Sequence, residues 1–206
     1  MPVRNTTRID IAGGMYHVYN RGLNKQIIFN DDGDKDYFLR LFERYLSDKD
    51  SLGNQATLYS KYLGKLELVS YCLMNNHFHL LIHQIEQGSL QKFMQSLINS
   101  YIHYFNKKYE RRGPLFESRY KASLIQTRSY FDHISRYIHL NPVDWQTYNY
   151  SSLSYYLRDG SPDWLNPQII LESFADDDYL VFMKDYEAHK EMLDEMKHDL
   201  ADINIH

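Results

Sequence analysis

The chain has 206 residues, 43% of them hydrophobic and 24% charged, a composition typical of a globular protein with a sizeable core. Its single cysteine excludes a disulfide framework. Because it has neither an apolar run of about 18 residues nor an apolar leader, we expect a cytoplasmic protein without membrane contact. The net charge of −4 conceals a division: residues 159–206 hold 13 acidic and 3 basic side chains, and the other 158 residues hold 20 basic and 14 acidic ones. Such a basic body suits a polyanionic partner.

Strand and helix signals alternate along the first half of the chain. Aromatic and β-branched residues indicate strands, and apolar positions at three- and four-residue spacing indicate helices. Residues 47–64 form a polar connection that this pattern leaves unassigned. Asn75 and Asn76 tolerate turn geometry, so the strands on either side of them form a hairpin. The predicted elements are strands at residues 15–20, 65–74 and 77–84, and helices that start after the cap residues 30–32 and after Gly88.

The second half continues with one more strand and one more helix. Gly113-Pro114 breaks the preceding helix, residues 118–126 indicate a strand, and a helix from Thr127 or Ser129 must stop near Pro142. The order βαββαβα predicts an α+β fold, a ferredoxin-like split βαβ sandwich. Its antiparallel sheet carries two helices on one face and is open on the other. We assign residues 1–145 to this domain and residues 146–206 to an acidic, mostly helical C-terminal appendage.

The motif His77-Phe78-His79 lies at the start of a predicted strand. Side chains alternate along a strand, so His77 and His79 share one face, about 7 Å apart, while Phe78 packs on the core. Neutral imidazole is a common ligand of divalent metals, and two from one strand make half a site. The alternative for this motif alone is a half-buried strand with incidental histidines.

The helix that ends before Pro142 adds polar groups. His133, Tyr137 and Asn141 are spaced i, i+4 and i+8 and form one stripe. An amide oxygen from Asn141 beside two imidazoles would suit Mg²⁺ or Mn²⁺, with open positions for phosphate oxygens. A closed zinc site would need cysteines or a fourth protein ligand. From spacing alone, Tyr137 could equally be a core or surface residue, and Asn141 could simply cap the helix.

A basic run with interleaved aromatic residues extends from the end of the helix that follows Gly88 to the start of the last predicted helix. Basic side chains track phosphates and aromatic rings stack on unpaired bases, so the run predicts a groove for single-stranded DNA. For any one of these residues, a solvated helix end is the simpler alternative. The predicted DNA-binding residues are Lys107, Lys108, Arg111, Arg112, Arg119, Tyr120, Lys121 and Arg128.

Four stretches of the chain form an ordered set of motif blocks: Tyr16-His-Val-Tyr-Asn-Arg-Gly22, Tyr71-Cys-Leu-Met-Asn-Asn-His-Phe-His-Leu-Leu81, Gly113-Pro-Leu-Phe-Glu-Ser-Arg-Tyr-Lys121 and Arg136-Tyr-Ile-His-Leu-Asn-Pro-Val143. In this order they resemble the blocks of single-tyrosine HUH transposases, and the REP-associated tyrosine transposases in particular. The resemblance covers about residues 10–145. Asn75 stands where many members have proline, a departure that affects the hairpin more than the chemistry.

The resemblance implies roles for individual residues. His77 and His79 match the histidines that hold the catalytic metal, Tyr137 matches the nucleophile, and Asn141 matches the polar residue that completes the metal site. It also implies a homodimer acting on folded single-stranded DNA, in which the tyrosine helix serves either its own metal site or the partner's. Tyr130 is the competing nucleophile. His83 and His133 are the other candidate ligands, His83 being too far along the strand.

The function expected from these residues is metal-dependent nicking and strand transfer of single-stranded or hairpin-forming repeat DNA through a 5′-phosphotyrosine. Because the bond energy is kept in the covalent link, a second 3′-OH can rejoin the strands. The sequence has no phosphate-binding Gly-x-x-x-x-Gly-Lys-Ser/Thr loop, and we expect no nucleotide cofactor. Two alternatives remain: a catalytically inactive nucleic-acid-binding module of the same fold, and a metal phosphodiesterase that uses water as its nucleophile.

Overall fold

The fold is a four-stranded antiparallel sheet with helices. The computed structural model describes residues 9–48, 61–158, 160–174 and 178–185. The sheet has the order β2-β3-β1-β4, and each neighbouring pair is antiparallel. This confirms the predicted α+β class and split βαβ order. The elements are β1 Gly14–Arg21, α1 Asp32–Leu46, β2 Leu66–Met74, β3 His77–Gln84, α2 Ser89–Lys108, β4 Lys121–Ile125, α3 Arg128–His139, α4 Gln168–Leu171 and α5 Asp178–Lys184.

Short-range chemistry explains where these elements begin. The Asp31 side chain accepts a hydrogen bond from the Asp34 backbone N–H at 2.9 Å, which caps the first turn of α1. Gly88 has a φ of +79°, a conformation that glycine adopts without strain, and it lets the chain turn from β3 into α2. The Asn75-Asn76 turn joins β2 to β3 as predicted. Most of the unassigned connection, residues 49–60, lies outside the described residues.

The two faces of the sheet bury different cores. On one face Phe78, Leu80 and Ile82 of β3 pack against α1 and α2. On the other face Leu81 packs with Ile134 of α3, and with apolar side chains that follow residue 145. The expectation that this second face is open was therefore wrong. The apolar stripe of α3 and the apolar residues of the C-terminal part pack on this face and bury its apolar side chains. The sequence pattern did not predict that they would pack there.

A buried chain of hydrogen bonds ties α3 to β2 and to α5. The imidazole of His139 binds the Tyr179 hydroxyl through Nδ1 at 2.8 Å and the Ser152 hydroxyl through Nε2 at 2.7 Å. The Ser152 hydroxyl oxygen accepts the backbone N–H of Tyr71 at 2.9 Å, and the Tyr179 hydroxyl also bonds to Ser135 of α3 at 2.9 Å. The helix that carries Tyr137 is thus held from both sides.

The described part of the appendage is less regular than the mostly helical segment we predicted. It holds a 3-10 helix at Ser152–Tyr155 and the short helices α4 and α5. Residues 186–206, the greater part of the predicted acidic helices, lie outside the described residues, and the boundary at residue 145 stays a prediction. No helix among the residues described reaches the length and apolarity that a membrane crossing requires.

Candidate active site

The predicted site residues meet on the second face of the sheet. Tyr19 of β1 and Cys72 of β2 flank His79 in the strand register, and Met74 is paired with His77. Because α3 crosses this face, the end of α3 comes close to the start of β3. The structure therefore brings together His77, His79, Tyr137 and Asn141, which are separated by up to 64 positions along the chain.

His77 and Asn141 face each other directly. The Nε2 atom of His77 lies 2.9 Å from Oδ1 of Asn141, and its Nδ1 atom lies 2.7 Å from Oδ1 of Asn76. Burial lowers the pKa of His77, the Asn141 contact works to raise it, and the Arg21 charge lowers it further. The ring is therefore neutral at pH 7, the form in which imidazole ligates a metal.

His79 is more deeply buried, with only 7% of its surface exposed. Its Nδ1 atom lies 2.9 Å from Nε2 of His17, and the two rings are parallel within 9°. Burial, followed by the nearby imidazoles of His17 and His77, holds the pKa of His79 well below its usual range. The Nδ1 atom is engaged with His17, so Nε2 is the nitrogen of His79 that remains for a ligand.

Two of the three candidate donor atoms have the spacing expected around a small divalent cation. Two ligands at right angles around an octahedral ion, each about 2.0–2.1 Å from it, are about 2.9 Å apart, which matches the spacing of His77 Nε2 and Asn141 Oδ1. Two imidazole nitrogens and one amide oxygen are a mixed set suited to Mg²⁺ or Mn²⁺. Across the described residues, His, Cys, Asp and Glu side chains form no group of three that could hold a metal, so the amide oxygen is essential to this set.

The Tyr137 ring lies edge-on against both buried imidazoles. Its centroid is 5.4 Å from that of His79 and 5.8 Å from that of His17, with interplanar angles of 83° and 88°. Burial and the neighbouring Cys72 raise the pKa of Tyr137 to about 12, while its hydrogen bond with Asn141 works in the opposite direction. The phenol is therefore held as a neutral hydroxyl beside the two histidines.

All four groups belong to one chain. The resemblance left open whether the tyrosine helix serves its own metal site or a partner's. Within the chain, the Tyr137 ring centre lies 5.4 Å from that of His79, a placement compatible with action at its own histidines.

The competing candidates lie elsewhere. The Nδ1 atom of His83 is 2.8 Å from the carboxylate of Glu67, so His83 is paired away from the site. His133 bonds to Arg136 and packs against Phe182 of α5. Tyr130 packs against the second core, and no ring contact between it and His79 occurs among the described residues.

Three of the predicted DNA-binding residues are exposed to solvent, and a fourth lies beside the site. Lys107, Arg112 and Arg119 are exposed. Lys121 is on the same face of the sheet as the histidines, with its ammonium 5.8 Å from the centre of the Tyr19 ring. Burial lowers the pKa of Lys121, although the Glu117 charge works against this. Lys121 is therefore the predicted DNA-binding cation that the structure places on the face of the site.

The other four predicted DNA-binding residues make contacts within the chain. The ring of Tyr120 is 6% exposed and belongs to the first core, so it offers no stacking surface. The ammonium of Lys108 lies 2.7 Å from the buried carboxylate of Asp34, which neutralises it. Arg111 donates to the Gln26 side chain at 3.2 Å, and Arg128 donates to Ser173 at 3.0 Å. The geometry gives these four residues structural partners that the sequence did not reveal.

Three residues border the site that were not predicted from the sequence to belong to it. His17 and Tyr19 stack with each other at 5.1 Å and with His79, and Asn76 contacts His77. Residues 16–22 were recognised as a motif block, but only the register of β1 against β3 shows that His17 reaches His79. The position of Asn76 immediately before His77 was a signal that could have been used.

Comparison with known proteins agrees with the motif blocks. Residues 55–141 match the family described as IS200-like transposase. Among solved structures, the chain is similar to a REP-associated tyrosine transposase bound to a REP hairpin, with 14% sequence identity and a TM-score of 0.53. The match covers 77% of this chain and 88% of that one. At this identity the likeness establishes the fold. A comparison with curated proteins gives no match. The resemblance is confirmed by a sequence pattern and by a shared fold.

Proposed function

We propose that this chain, which carries an IS200-like transposase pattern on the fold of a REP-associated tyrosine transposase, nicks and rejoins single-stranded DNA through a covalent bond to Tyr137. The observation that carries the proposal is the contact within one chain between the phenol ring of Tyr137 and the imidazole of His79, 5.4 Å apart. Asn141 also contacts both Tyr137 and His77, which supports a shared site for the phenol, the imidazoles and the amide oxygen.

His77, His79 and Asn141 would hold Mg²⁺ or Mn²⁺. When bound, such a cation supplies positive charge that polarises the scissile phosphate and stabilises the charge developing on the leaving oxygen. Residues of the chain position the phenol, favour its ionised form and exclude water. Asn141 hydrogen-bonds the Tyr137 phenol and favours its ionised form, and α3 holds that phenol at the edge of the histidine pair. The buried rings of His17 and Tyr19 keep bulk water from the inner side of the site.

The reaction conserves the phosphoester. The Tyr137 hydroxyl loses its proton to solvent, and its oxygen attacks the phosphorus to form the new phosphoester bond. The bond between phosphorus and the 3′ oxygen then breaks, and that oxygen takes a proton from solvent, which leaves a free 3′-OH and a 5′-phosphotyrosine. A second 3′-OH can attack this link and release the tyrosine, so rejoining needs no nucleotide cofactor. This chemistry accounts for a transposase that both cuts and joins strands.

The substrate we propose is hairpin-forming single-stranded DNA. The similar solved structure holds a REP hairpin, and the exposed cations Lys107, Arg112 and Arg119 with the nearby Lys121 can follow its phosphates. A homodimer is compatible with this proposal, but the described site needs no residue from a partner. The free thiol of Cys72 suits the reducing cytoplasm, where we propose the protein acts.

Incubation of an end-labelled hairpin oligonucleotide with the protein and Mn²⁺ tests the proposal. We expect a cleaved strand and a protein–DNA band that resists denaturation, both lost in Tyr137→Phe and in His77→Ala. Tyr130→Phe is the matched control, since it removes a phenol from the same helix and should keep both products.

Two other outcomes would select the alternatives. Cleavage that persists in Tyr137→Phe but is lost in His77→Ala would indicate a phosphodiesterase that uses water. Hairpin binding without cleavage at any concentration of Mg²⁺ or Mn²⁺ would indicate a non-catalytic DNA-binding module.

A further inference from the structure

We propose that His17 and Asn76 are positioning residues that hold the Nδ1 protons of His79 and His77, so that both Nε2 atoms present lone pairs to the cation. Neither residue would touch the metal or the DNA. The inference rests on the proposed metal site and deepens it, because it assigns the groups that orient the two histidine ligands. It follows from counting protons on neutral imidazoles whose contacts are given by the structure.

Two side-chain oxygens face the ring nitrogens of His77. Oδ1 of Asn76 lies 2.7 Å from Nδ1, and Oδ1 of Asn141 lies 2.9 Å from Nε2. A neutral imidazole carries one N–H, so it can donate to only one of these oxygens. The Nδ2 atom of Asn76 donates to the backbone oxygen of Lys25 at 3.4 Å, which fixes the orientation of the Asn76 amide and directs its oxygen at His77.

With the proton on Nδ1, His77 donates to Asn76 through the shorter of the two contacts. The Nε2 atom of His77 and Oδ1 of Asn141 are then two lone-pair atoms 2.9 Å apart with no hydrogen between them. Such a pair repels unless a cation lies between the atoms. This tautomer leaves both lone pairs for a cation, whereas the opposite tautomer would make an ordinary hydrogen bond from Nε2 of His77 to Asn141.

His17 and His79 share a single proton between their facing ring nitrogens. Nε2 of His17 and Nδ1 of His79 are 2.9 Å apart and buried, so one of them donates to the other. If His17 donated, the proton of neutral His79 would lie on Nε2 and block ligation. If His79 donates, its Nε2 atom is free, and the proton of His17 must lie on its own Nδ1.

The surroundings of His17 support a role beyond packing. Its side chain is 1% exposed, and its Nδ1 atom has no hydrogen-bond partner among the residues that the structure describes. A buried polar atom without a partner lowers stability, and an apolar residue would avoid that cost. Metal-bound histidines in proteins typically donate their second N–H to a fixed acceptor, and here the acceptor is an imidazole.

The test measures Mn²⁺ affinity and histidine protonation rather than cleavage. Mn²⁺ binding to the full chain is followed by calorimetry for the wild type, His17→Leu, His17→Gln, Asn76→Ala and His83→Gln. Glutamine can place its amide oxygen near the position of Nε2, so it should restore the acceptor. His83→Gln is the matched control, since it alters another histidine on the same face of β3. Long-range ¹⁵N–¹H spectra of the metal-free protein locate the protons on His77 and His79.

We expect His17→Leu and Asn76→Ala each to weaken Mn²⁺ binding by about 10- to 100-fold, with His17→Gln recovering most of the loss and His83→Gln unchanged. The spectra should show Nδ1–H on both ligands in the wild type, and a shift toward Nε2–H at His79 in His17→Leu. Wild-type Mn²⁺ affinity in a folded His17→Leu variant, or Nε2–H at His79 in the wild type, would overturn the inference. A wild type that binds Mn²⁺ no better than His77→Ala would instead overturn the proposed metal site.

Discussion

The phenol of Tyr137 should resist ionisation in the metal-free protein. A tyrosine in water titrates near pH 10, and burial raises the pKa of Tyr137 to about 12. Two pKa units correspond to about 3 kcal/mol, the extra free energy needed to form the phenolate at this place. At pH 7 roughly one molecule in 10⁵ would hold the phenolate, against about one in 10³ for a free tyrosine. The site therefore presents its nucleophile in the protonated form.

The pKa shift also fixes the direction of a stability change. The folded protein keeps the Tyr137 proton up to pH 12, whereas the unfolded chain loses it near pH 10. The contribution of the protonated Tyr137 to the free energy of unfolding is thus fully present below pH 10. It is lost as the pH rises from 10 to 12, by up to about 3 kcal/mol. Tyr137→Phe lacks this group, so its free energy of unfolding should fall less over the same interval.

Carbon-13 spectra of the protein labelled at tyrosine Cζ provide the assay. The Tyr137 signal is identified by its absence in Tyr137→Phe. At pH 10.5 it should be only about 3% ionised, while the same tyrosines in urea should be mostly ionised. Saturating Mg²⁺ should lower the midpoint, since nearby positive charge favours the phenolate. A Tyr137 midpoint at or below pH 10 without metal would refute the argument from burial.

Three further predictions test the assembly of the site. Mixing His77→Ala with Tyr137→Phe should restore no cleavage, since both groups act within one chain; a dimer that exchanged its tyrosines would recover about a quarter of the activity. Lys108→Met should lower the free energy of unfolding in urea by about 2 kcal/mol, because the buried carboxylate of Asp34 loses its ion pair and keeps only hydrogen bonds to neutral groups. Lys107→Met should change stability little and weaken hairpin binding; equal stability losses would contradict this. Tyr179→Phe should cost about 1–3 kcal/mol by breaking the buried hydrogen bonds to α3, and an unchanged urea midpoint would show that this chain of bonds does not hold the helix.

Much of the fold could be read from local patterns. The alternation of β3 correctly put His77 and His79 on one face, and the turn at Asn75 fixed the hairpin. The helix carrying Tyr137 began within two residues of its predicted start. These features depend on residues close together in sequence, and local sterics and periodicity determine them. Residues 146–185 were harder, because their short helices are stabilised by packing on the sheet and have little periodicity of their own.

Contacts between residues that are far apart in the sequence could not be predicted from it. The pairing of His17 with His79 depends on the register of two strands whose residues are 62 positions apart, and nothing local sets that register. Tyr120 and Lys108 were predicted to bind DNA because the sequence shows an aromatic ring and a positive charge but not the contacts that each makes in the fold. The core that buries Tyr120 and the carboxylate that neutralises Lys108 come from elements far along the chain. Motif resemblance predicted Tyr137 and Asn141 near the histidine pair, which periodicity alone could not do.

Locating the covalent bond is the most direct test of the proposed chemistry. The protein is incubated with Mn²⁺ and a hairpin oligonucleotide, digested with protease and nuclease, and the modified peptide is sequenced by mass spectrometry. We predict a 5′-linked nucleotide on Tyr137 and on no other tyrosine. A nucleotide on Tyr130, or cleaved DNA with no modified tyrosine, would contradict the account.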